Sequence, residues 1–517
     1  MKWFITLMTA ALMAVAAPAM AQTPPDVLVV GQVAEPKSLD PQAVTATNDF
    51  RILVNLYDGL VRFRKGTMEV EPALATSWTI SDDGLTYRFQ LREDVTFHDG
   101  TAFDAAAVKF TFDRMLEADH PFHSTGPFPL AFFFSAVEEV TVVDPLTVEF
   151  VLREPFAPFL SALAYPTGLI VSPAAVAETG TEFGRRPVGT GPFRFDAWEP
   201  DAKVAISRND DYWADAPELE AVEFKPIVDA AARTAQMLAG EIDLMVEAPA
   251  ANLATFRADP GFVVHEEAGP HLWFLILNTK EGPFADKRVR QAVNYAIDKQ
   301  AIVDGVLKGS ASVAAGPIPR AFDWAHDETV EPYPHDPEKA RALIREAGAE
   351  GATLTFYVAE GGSGMLDPVA MATAIQADLA AVGLNARIET YEWNTFLSNV
   401  NPGLEGKADM AEMAWMTNDP DTLPFLALRS DAFPDNGGFN AGYYSNAEVD
   451  RLLGEARRST DQAVRGDLYK QIQRIVHDDA PWAFIANWKQ NAVSSAGVSG
   501  FELEPSFLMI LRDVSKG

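Results

Sequence analysis

The sequence contains no cysteine. Disulfides, thiolate zinc sites and a cysteine nucleophile are therefore excluded. Histidine is scarce, with 8 in 517 residues, which leaves a buried transition-metal site short of ligands. Basic charge is short as well. The chain has 41 Lys and Arg against 73 Asp and Glu, a formal net charge of −32. A nucleic-acid binder needs a basic face, so that class is set aside. After the first residues no stretch reaches the roughly 18 uninterrupted apolar residues of a membrane span. Catalytic and phosphate-binding motifs are missing too. There is no GxxxxGK[ST] loop, and Gly189-Thr190-Gly191 lacks the third glycine of a dinucleotide loop. Gly361-Gly362-Ser363-Gly364-Met365 begins as a nucleophile elbow and ends on Met365, where glycine is required. His120 and His123, the only close histidine pair, lie in a Pro/Gly-rich stretch and read as a solvated loop. Carboxylates are too numerous for counting to single out a glycosidase pair.

What remains is ordinary globular material, 48% hydrophobic and 22% charged, and long enough for about three domains. Residues 1–21 have the layout of a secretory signal peptide: Lys2, an apolar run from Trp3 to Ala17, then Ala19-Met20-Ala21 as the cleavage pattern. No cysteine follows, so a lipid anchor is excluded, and a periplasmic location is expected.

The first part of the chain reads as strands around one helix. Val27–Val33 is apolar throughout and Thr86–Leu91 alternates. Val140–Val143 and Thr147–Leu152 flank a turn at Asp144-Pro145-Leu146. Asp104 is placed to cap a helix with Val108, Phe112 and Met115 on one face. Phe193–Phe195 and Val204–Ser207 are further strands. The second part alternates strand and helix: a helix over Asp286–Ile297, a strand at Thr353–Val358, and a helix from Pro368 to Gly383 capped by Asp367. Strands at Ala386–Tyr391 and Met410–Trp415 follow, with a helical turn near Asn394–Val400 between them. This β-α-β-α-β order predicts a parallel sheet covered by helices. Ser445 with Glu448 reads as a capping box. Asp461 opens a last helix with Val464, Leu468 and Ile475 on one stripe. From about Ala483 the pattern returns to strand, which predicts that the chain crosses between lobes more than once and leaves a cleft at a hinge.

Several stretches match one family in order. They are Glu35-Pro36-Lys37-Ser38-Leu39-Asp40-Pro41, Asn55-Leu56-Tyr57-Asp58-Gly59-Leu60, and Pro72-Ala73-Leu74-Ala75-Thr76-Ser77-Trp78. Phe97-His98-Asp99-Gly100, Pro187-Val188-Gly189-Thr190-Gly191-Pro192-Phe193, Leu277-Asn278-Thr279 and Ala296-Ile297-Asp298-Lys299 follow. The series ends with Ile375-Gln376-Ala377-Asp378-Leu379, Glu392-Trp393 and Tyr444-Ser445-Asn446. The chain resembles the family 5 solute-binding proteins of ABC importers, known carriers of peptides, glutathione, nickel chelates, opines and some sugars. The resemblance implies a two-lobed α/β periplasmic-binding-protein fold of the large, Venus-flytrap type. Lobe one would comprise 22–66, 186–270 and 484–517, with an extra subdomain at 67–185, and lobe two would comprise 271–483. It also implies a monomer that captures peptides or peptide-sized solutes for an inner-membrane permease with its ATPase. Neither a catalyst nor a cofactor is expected. The alternatives are a non-peptide ligand (an oligosaccharide, opine or metal chelate) and, more remotely, a secreted hydrolase.

The same resemblance points to the ligand site. The loop Trp415-Met416-Thr417-Asn418-Asp419-Pro420-Asp421 lines the cleft in the family. Trp415 either stacks on ligand or belongs to the lobe-two core. Dipeptide-binding members read Trp-Thr-Gly-Asp here, the Asp pairing with the ligand's ammonium group. This chain has the neutral Asn418 instead. Asp419 either substitutes for it or forms a structural turn in which Asp421 caps the next helix. Those members also hold the peptide carboxylate with an Arg whose position falls near Gly362, and no Arg or Lys occurs between Arg345 and Arg387. Both ends of a dipeptide thus lack their anchors. Tyr391 and Trp393 are further candidates at a strand end. Phe122, Phe128 and Phe132–Phe134 form an aromatic loop, either core or a lid over an apolar ligand. Arg185-Arg186 reads as a solvated pair.

Overall fold

The computed structural model describes residues 23–362 and 364–517. The signal segment and Ser363 lie outside them. None of the described helices is long and apolar enough to cross a membrane.

Two lobes share one mixed sheet of twelve strands. In lobe two the order is Asn385–Tyr391, Thr353–Ala359, Met410–Met416, His271–Leu277, then Trp482–Ser495. In lobe one it continues through Leu244–Val246, Val27–Gln32, Ala221–Pro226, Lys203–Arg208 and Phe193–Glu199. The three strands of the β-α-β-α-β unit pair in parallel as expected, but the sheet they belong to is mixed. Met410–Met416 pairs in parallel with Thr353–Ala359 only at Met410 and Ala411, but runs antiparallel along all of His271–Leu277. The β-α-β-α-β unit is the edge of a mixed sheet, because local periodicity reports a strand and not its partner.

The strand Trp482–Ser495 is 14 residues long and belongs to both lobes. Its first part pairs with His271–Leu277, and its last part with Phe262–Ala268 and Leu244–Val246. The other crossing is Gly269-Pro270, between Phe262–Ala268 and His271. A Cβ on Gly269 would stand 1.6 Å from the Phe507 ring, so only glycine fits at this crossing. His271 ties the crossings together. Its Nδ1 accepts from the Trp488 N–H at 3.1 Å, so Nε2 carries the proton and donates to the Gly364 carbonyl at 2.8 Å. Burial holds this imidazole down at about 4, hence neutral.

The extra subdomain is built on a separate four-stranded sheet, Ala75–Ile80, Thr86–Leu91, Thr147–Leu152 and Val137–Asp144. Against it packs the helix Ala105–Leu116, whose first turn is capped by Asp104 accepting from Ala107 N–H at 3.0 Å. Val108, Phe112 and Met115 enter this core. The packing moves the expected borders. Leu60 and Val61 join the subdomain core, while Leu169, Val171, Val176 and Phe183 join that of lobe one.

Three helix starts differ from the expected capping. Asn446, not Ser445, caps its helix, accepting from Glu448 and Val449 N–H. Asp367 and Asp421 stand at helix starts without capping them. The buried face of the last long helix, Gln462–Asp479, is centred on Arg465, Tyr469, Ile472, Gln473 and Val476, with the expected Leu468 and Ile475 half-buried at its margin and Val464 exposed. Its two polar buried residues serve ionic and hydrogen-bonding partners, which a hydrophobicity pattern does not register.

Glu412 is fully buried in the lobe-two sheet. Oε1 accepts from the Ala359 N–H at 2.7 Å, and Oε2 has no partner among the described residues. Burial pushes the carboxyl up to about 8 from its ordinary 4.5. The folded protein keeps a proton that the unfolded chain releases, so this contribution to stability is lost as pH rises from about 4.5 through about 8. Relative to wild type, Glu412→Gln should therefore gain on the order of 2 kcal/mol between pH 6 and pH 8, at about 1.36 kcal/mol per unit. Urea unfolding across that range measures it. Parallel pH profiles would refute the assignment.

Candidate ligand-binding cleft

The strand Met410–Met416 delivers Trp415 and Met416 to its end, and the chain turns through Thr417 and Asn418 into the short helix Thr422–Ala427. Across from this loop stand Phe63 and Met68 of the hairpin formed by Val61–Phe63 and Val70–Pro72, and Phe132 and Phe133 of the turn Ala131–Phe134. Tyr165, Pro270 beside the hinge and Ser506 of the C-terminal segment complete the walls. Together they enclose a cavity of about 520 Å³ where lobe one, the extra subdomain and lobe two meet.

The walls are aromatic. Phe133 meets Tyr165 edge-on with ring centres 5.7 Å apart, and Trp415 meets Phe439 edge-on at 5.4 Å. Among the described residues no Asp, Glu, Lys, Arg or His lines the cavity, and burial pushes the Tyr165 phenol up to about 12. The cleft is uncharged at neutral pH. Its polar groups are hydroxyls, backbone and the Asn418 amide, whose Oδ1 accepts from Thr422 Oγ1 at 3.2 Å. Such a surface stacks on apolar groups and hydrogen-bonds neutral ones, and it offers no oppositely charged partner to an ammonium or a carboxylate.

Of the residues singled out from the sequence, Trp415 and Asn418 line this cavity together. Asp419 is 1% exposed and its carboxylate is spent elsewhere. Oδ1 accepts from Arg465 Nη2 at 2.6 Å and from the Asp421 N–H at 2.9 Å, and Oδ2 accepts from Ser161 Oγ at 2.9 Å. Asp421 pairs with Arg457 Nη1 at 2.6 Å and accepts from Tyr469 at 3.3 Å. Burial raises its pKa to about 6 against the pull of Arg457. Because Ser161 belongs to the extra subdomain, this buried cluster fastens the 415–421 loop across the lobe boundary. The Ala157 N–H to Arg457 carbonyl bond, 2.8 Å, is a second fastening.

Tyr391 and Trp393 lie two strands away, on the edge of the lobe-two sheet. Tyr391 donates to Glu389 Oε2 at 2.9 Å. Trp393 stacks on Phe396 and covers Gly362, where a Cβ would stand 2.4 Å from the indole. The position at which the resemblance expects a carboxylate-binding Arg is thus occupied by packing. The aromatic loop divides: Phe128 and Phe134 are core, while Phe132 is 57% exposed and faces the cleft with Phe133. Arg185 and Arg186 are exposed, as expected, and Arg185 lies over the Trp198 ring at 3.5 Å. His120 and His123 are engaged separately, with the Phe122 N–H and the Arg114 carbonyl. Phe63, Met68, Tyr165 and Ser506 were not found from the sequence. Nothing in their local pattern distinguishes them from core or loop residues.

Two α/β lobes joined by two crossings, with an uncharged aromatic cavity at their junction, define a hinged solute-binding protein. The model of the bacterial extracellular solute-binding proteins, family 5 Middle, matches residues 69–436. The chain belongs to that family. It is 33% identical to di/tripeptide-binding protein 2 of Pseudomonas aeruginosa (strain UCBPP-PA14), over 98% of this chain and 97% of the relative. It is 35% identical to heme-binding protein A of Haemophilus influenzae, over 87% and 85%. The structure of HbpA2 from Haemophilus parasuis superposes with a TM-score of 0.88 at 30% identity, covering 95% of this chain and 100% of that one.

Proposed function

We propose that this chain is the solute-capturing component of an ABC importer, a periplasmic monomer, and that its ligand is a peptide or peptide-sized solute held by uncharged contacts. The observation that carries the ligand class is the cleft itself, aromatic and without a single ionised side chain at neutral pH. The relatives named for di- and tripeptides support the peptide half of the reading. The lack of charge argues against a ligand gripped by its two ends. It favours one held along its backbone and by apolar side chains. Capture would close the lobes, and the closed form is the one a permease can select, since ligand shifts the equilibrium only by its differential affinity for that form.

The test is a thermal-shift panel on refolded, ligand-stripped protein, using di- to hexapeptides, oligosaccharides, nickel with histidine, and haem. At a 100-fold excess over Kd a true ligand stabilises by about 2.7 kcal/mol. Apolar peptides longer than two residues should shift the midpoint. Equal shifts from dipeptides with charged side chains would overturn the uncharged-grip reading. Trp415→Ala should weaken binding of the best peptide by about tenfold to a hundredfold, the loss of one buried aromatic contact. Calorimetric titration giving unchanged affinity would remove Trp415 from the site. A second reading has its own support, the aromatic walls together with a relative named for haem. A planar apolar solute would then be the cargo, and a shift with haem but with no peptide would select it.

A further inference from the structure

Phe63 is a half-buried ring at which the hydrophobic cores of all three bodies meet. It lines the cleft on one side. On the other it lines a second, larger cavity of about 880 Å³, partly open to solvent. Ser506 is likewise shared by both cavities. The second cavity lies between the helix Thr47–Leu56, the 61–72 hairpin and the C-terminal segment. Its apolar walls include Val54, Tyr57, Val61, Ala164, Leu508 and Ile510.

Charged groups stand around this chamber, but they are committed to one another. Arg62 pairs with Glu71 at 2.7 Å and Arg512 with Asp513 at 3.0 Å. Glu504 accepts from the Gly66 N–H at 2.7 Å, and Lys65 stands 3.6 Å from Glu502. Asp58 accepts from Tyr212, Trp213 and Thr190, all within 3.0 Å. A charged side chain entering here would lose part of its hydration and have to compete with these pairs, whereas an apolar one gains by leaving water.

We infer that the chamber behind Phe63 receives a bulky apolar side chain of the captured ligand, an aromatic one above all, with Phe63 as the partition that the side chain displaces. This rests on the peptide reading of the cleft, and it adds a second compartment that selects among peptides by one side chain. Continuity through Phe63 and Ser506 makes the occupant part of the cleft's own ligand.

The experiment uses the full folded protein and two chamber-filling variants, Val54→Trp and Ala164→Leu, each verified by its unfolding midpoint. The probes are 3-methylindole, which is a free tryptophan side chain, with butylamine as charged control, and the peptides Ala-Ala-Ala and Ala-Trp-Ala. Calorimetry on wild type should show saturable binding of 3-methylindole and none of butylamine. Ala-Trp-Ala should bind at least tenfold more tightly than Ala-Ala-Ala. In a correctly folded filled variant 3-methylindole binding should vanish and the peptide preference should fall below threefold. If no peptide binds but 3-methylindole binds wild type and is excluded by filling, the chamber stands and the peptide reading falls. If 3-methylindole fails to bind wild type, or binds both variants unchanged, the chamber assignment is overturned even where peptides bind.

Discussion

Arg465→Met should lower the stability of the protein by about 3–5 kcal/mol, the cost of removing one partner from a buried ion pair. Arg465 is almost fully enclosed and faces a side chain only 1% exposed, Asp419. Methionine fills the volume but leaves the Asp419 carboxylate with Ser161 and a backbone N–H as its only donors. The remaining cluster would then hold two acids, Asp419 and Asp421, against one guanidinium, Arg457. Urea unfolding gives the number. Asp419→Asn placed on top of Arg465→Met should recover part of the loss, because it removes the stranded charge. A loss under about 1 kcal/mol, or no recovery in the double variant, would mean that the cluster is solvated in solution and worth no more than a surface pair. A functional consequence goes with it. Asp419 follows Asn418 directly, so loosening the cluster frees the cleft-lining 415–421 loop at its fastening to Ser161, and if the cleft holds the ligand as proposed, its affinity should drop in the same variant.

Arg114→Met is expected to cost a similar amount, about 3–5 kcal/mol. The Arg114 side chain is wholly buried and grips Asp40 with both terminal nitrogens, at 3.0 and 2.9 Å. The same group donates to Gln42 Oε1 at 2.6 Å and lies over the rings of Phe128 and Phe183. Gln42 in turn donates to the carbonyls of Thr167 and Leu169. Arg114 comes from the extra subdomain, whereas Asp40 and Gln42 follow the first strand of lobe one. The pair is a bolt between the two. Arg114→Lys would keep the charge but lose the forked geometry, and should recover only part of the stability. Full recovery by lysine would show that charge alone matters here.

The sequence-level reading succeeded where the deciding forces are local. Asp104 three residues before the Ala107 N–H, and Val108, Phe112 and Met115 on one face, fix a helix with no knowledge of the rest of the chain. The turn at Asp144-Pro145-Leu146 likewise sets its hairpin. Failures came where a side chain's partner is distant. Asp421 has the position of a cap, yet Arg457 and Tyr469 claim its carboxylate from other helices. Asp419 was a candidate anchor until Arg465 and Ser161 took both its oxygens. Of the cleft, the Trp415–Asn418 loop was legible through its resemblance to a known family. The opposing wall of Phe63, Met68, Phe133 and Tyr165 comes from segments far apart in the chain. Only the fold brings them to face Trp415.

The strand Trp482–Ser495 has a consequence for how the molecule is made. Synthesis runs from the N-terminus, so this strand emerges near the end, after every strand it must join. Val27–Gln32, the first strand in the chain, waits for its neighbour Leu244–Val246, and that strand in turn waits for Ala492–Ser494. Lobe two waits on the same segment for its pairing with His271–Leu277. Neither lobe's half of the shared sheet is complete until this strand is available, and contacts of such long sequence separation form slowly. The nascent chain therefore remains incompletely folded throughout its synthesis, with both halves finished by one late event.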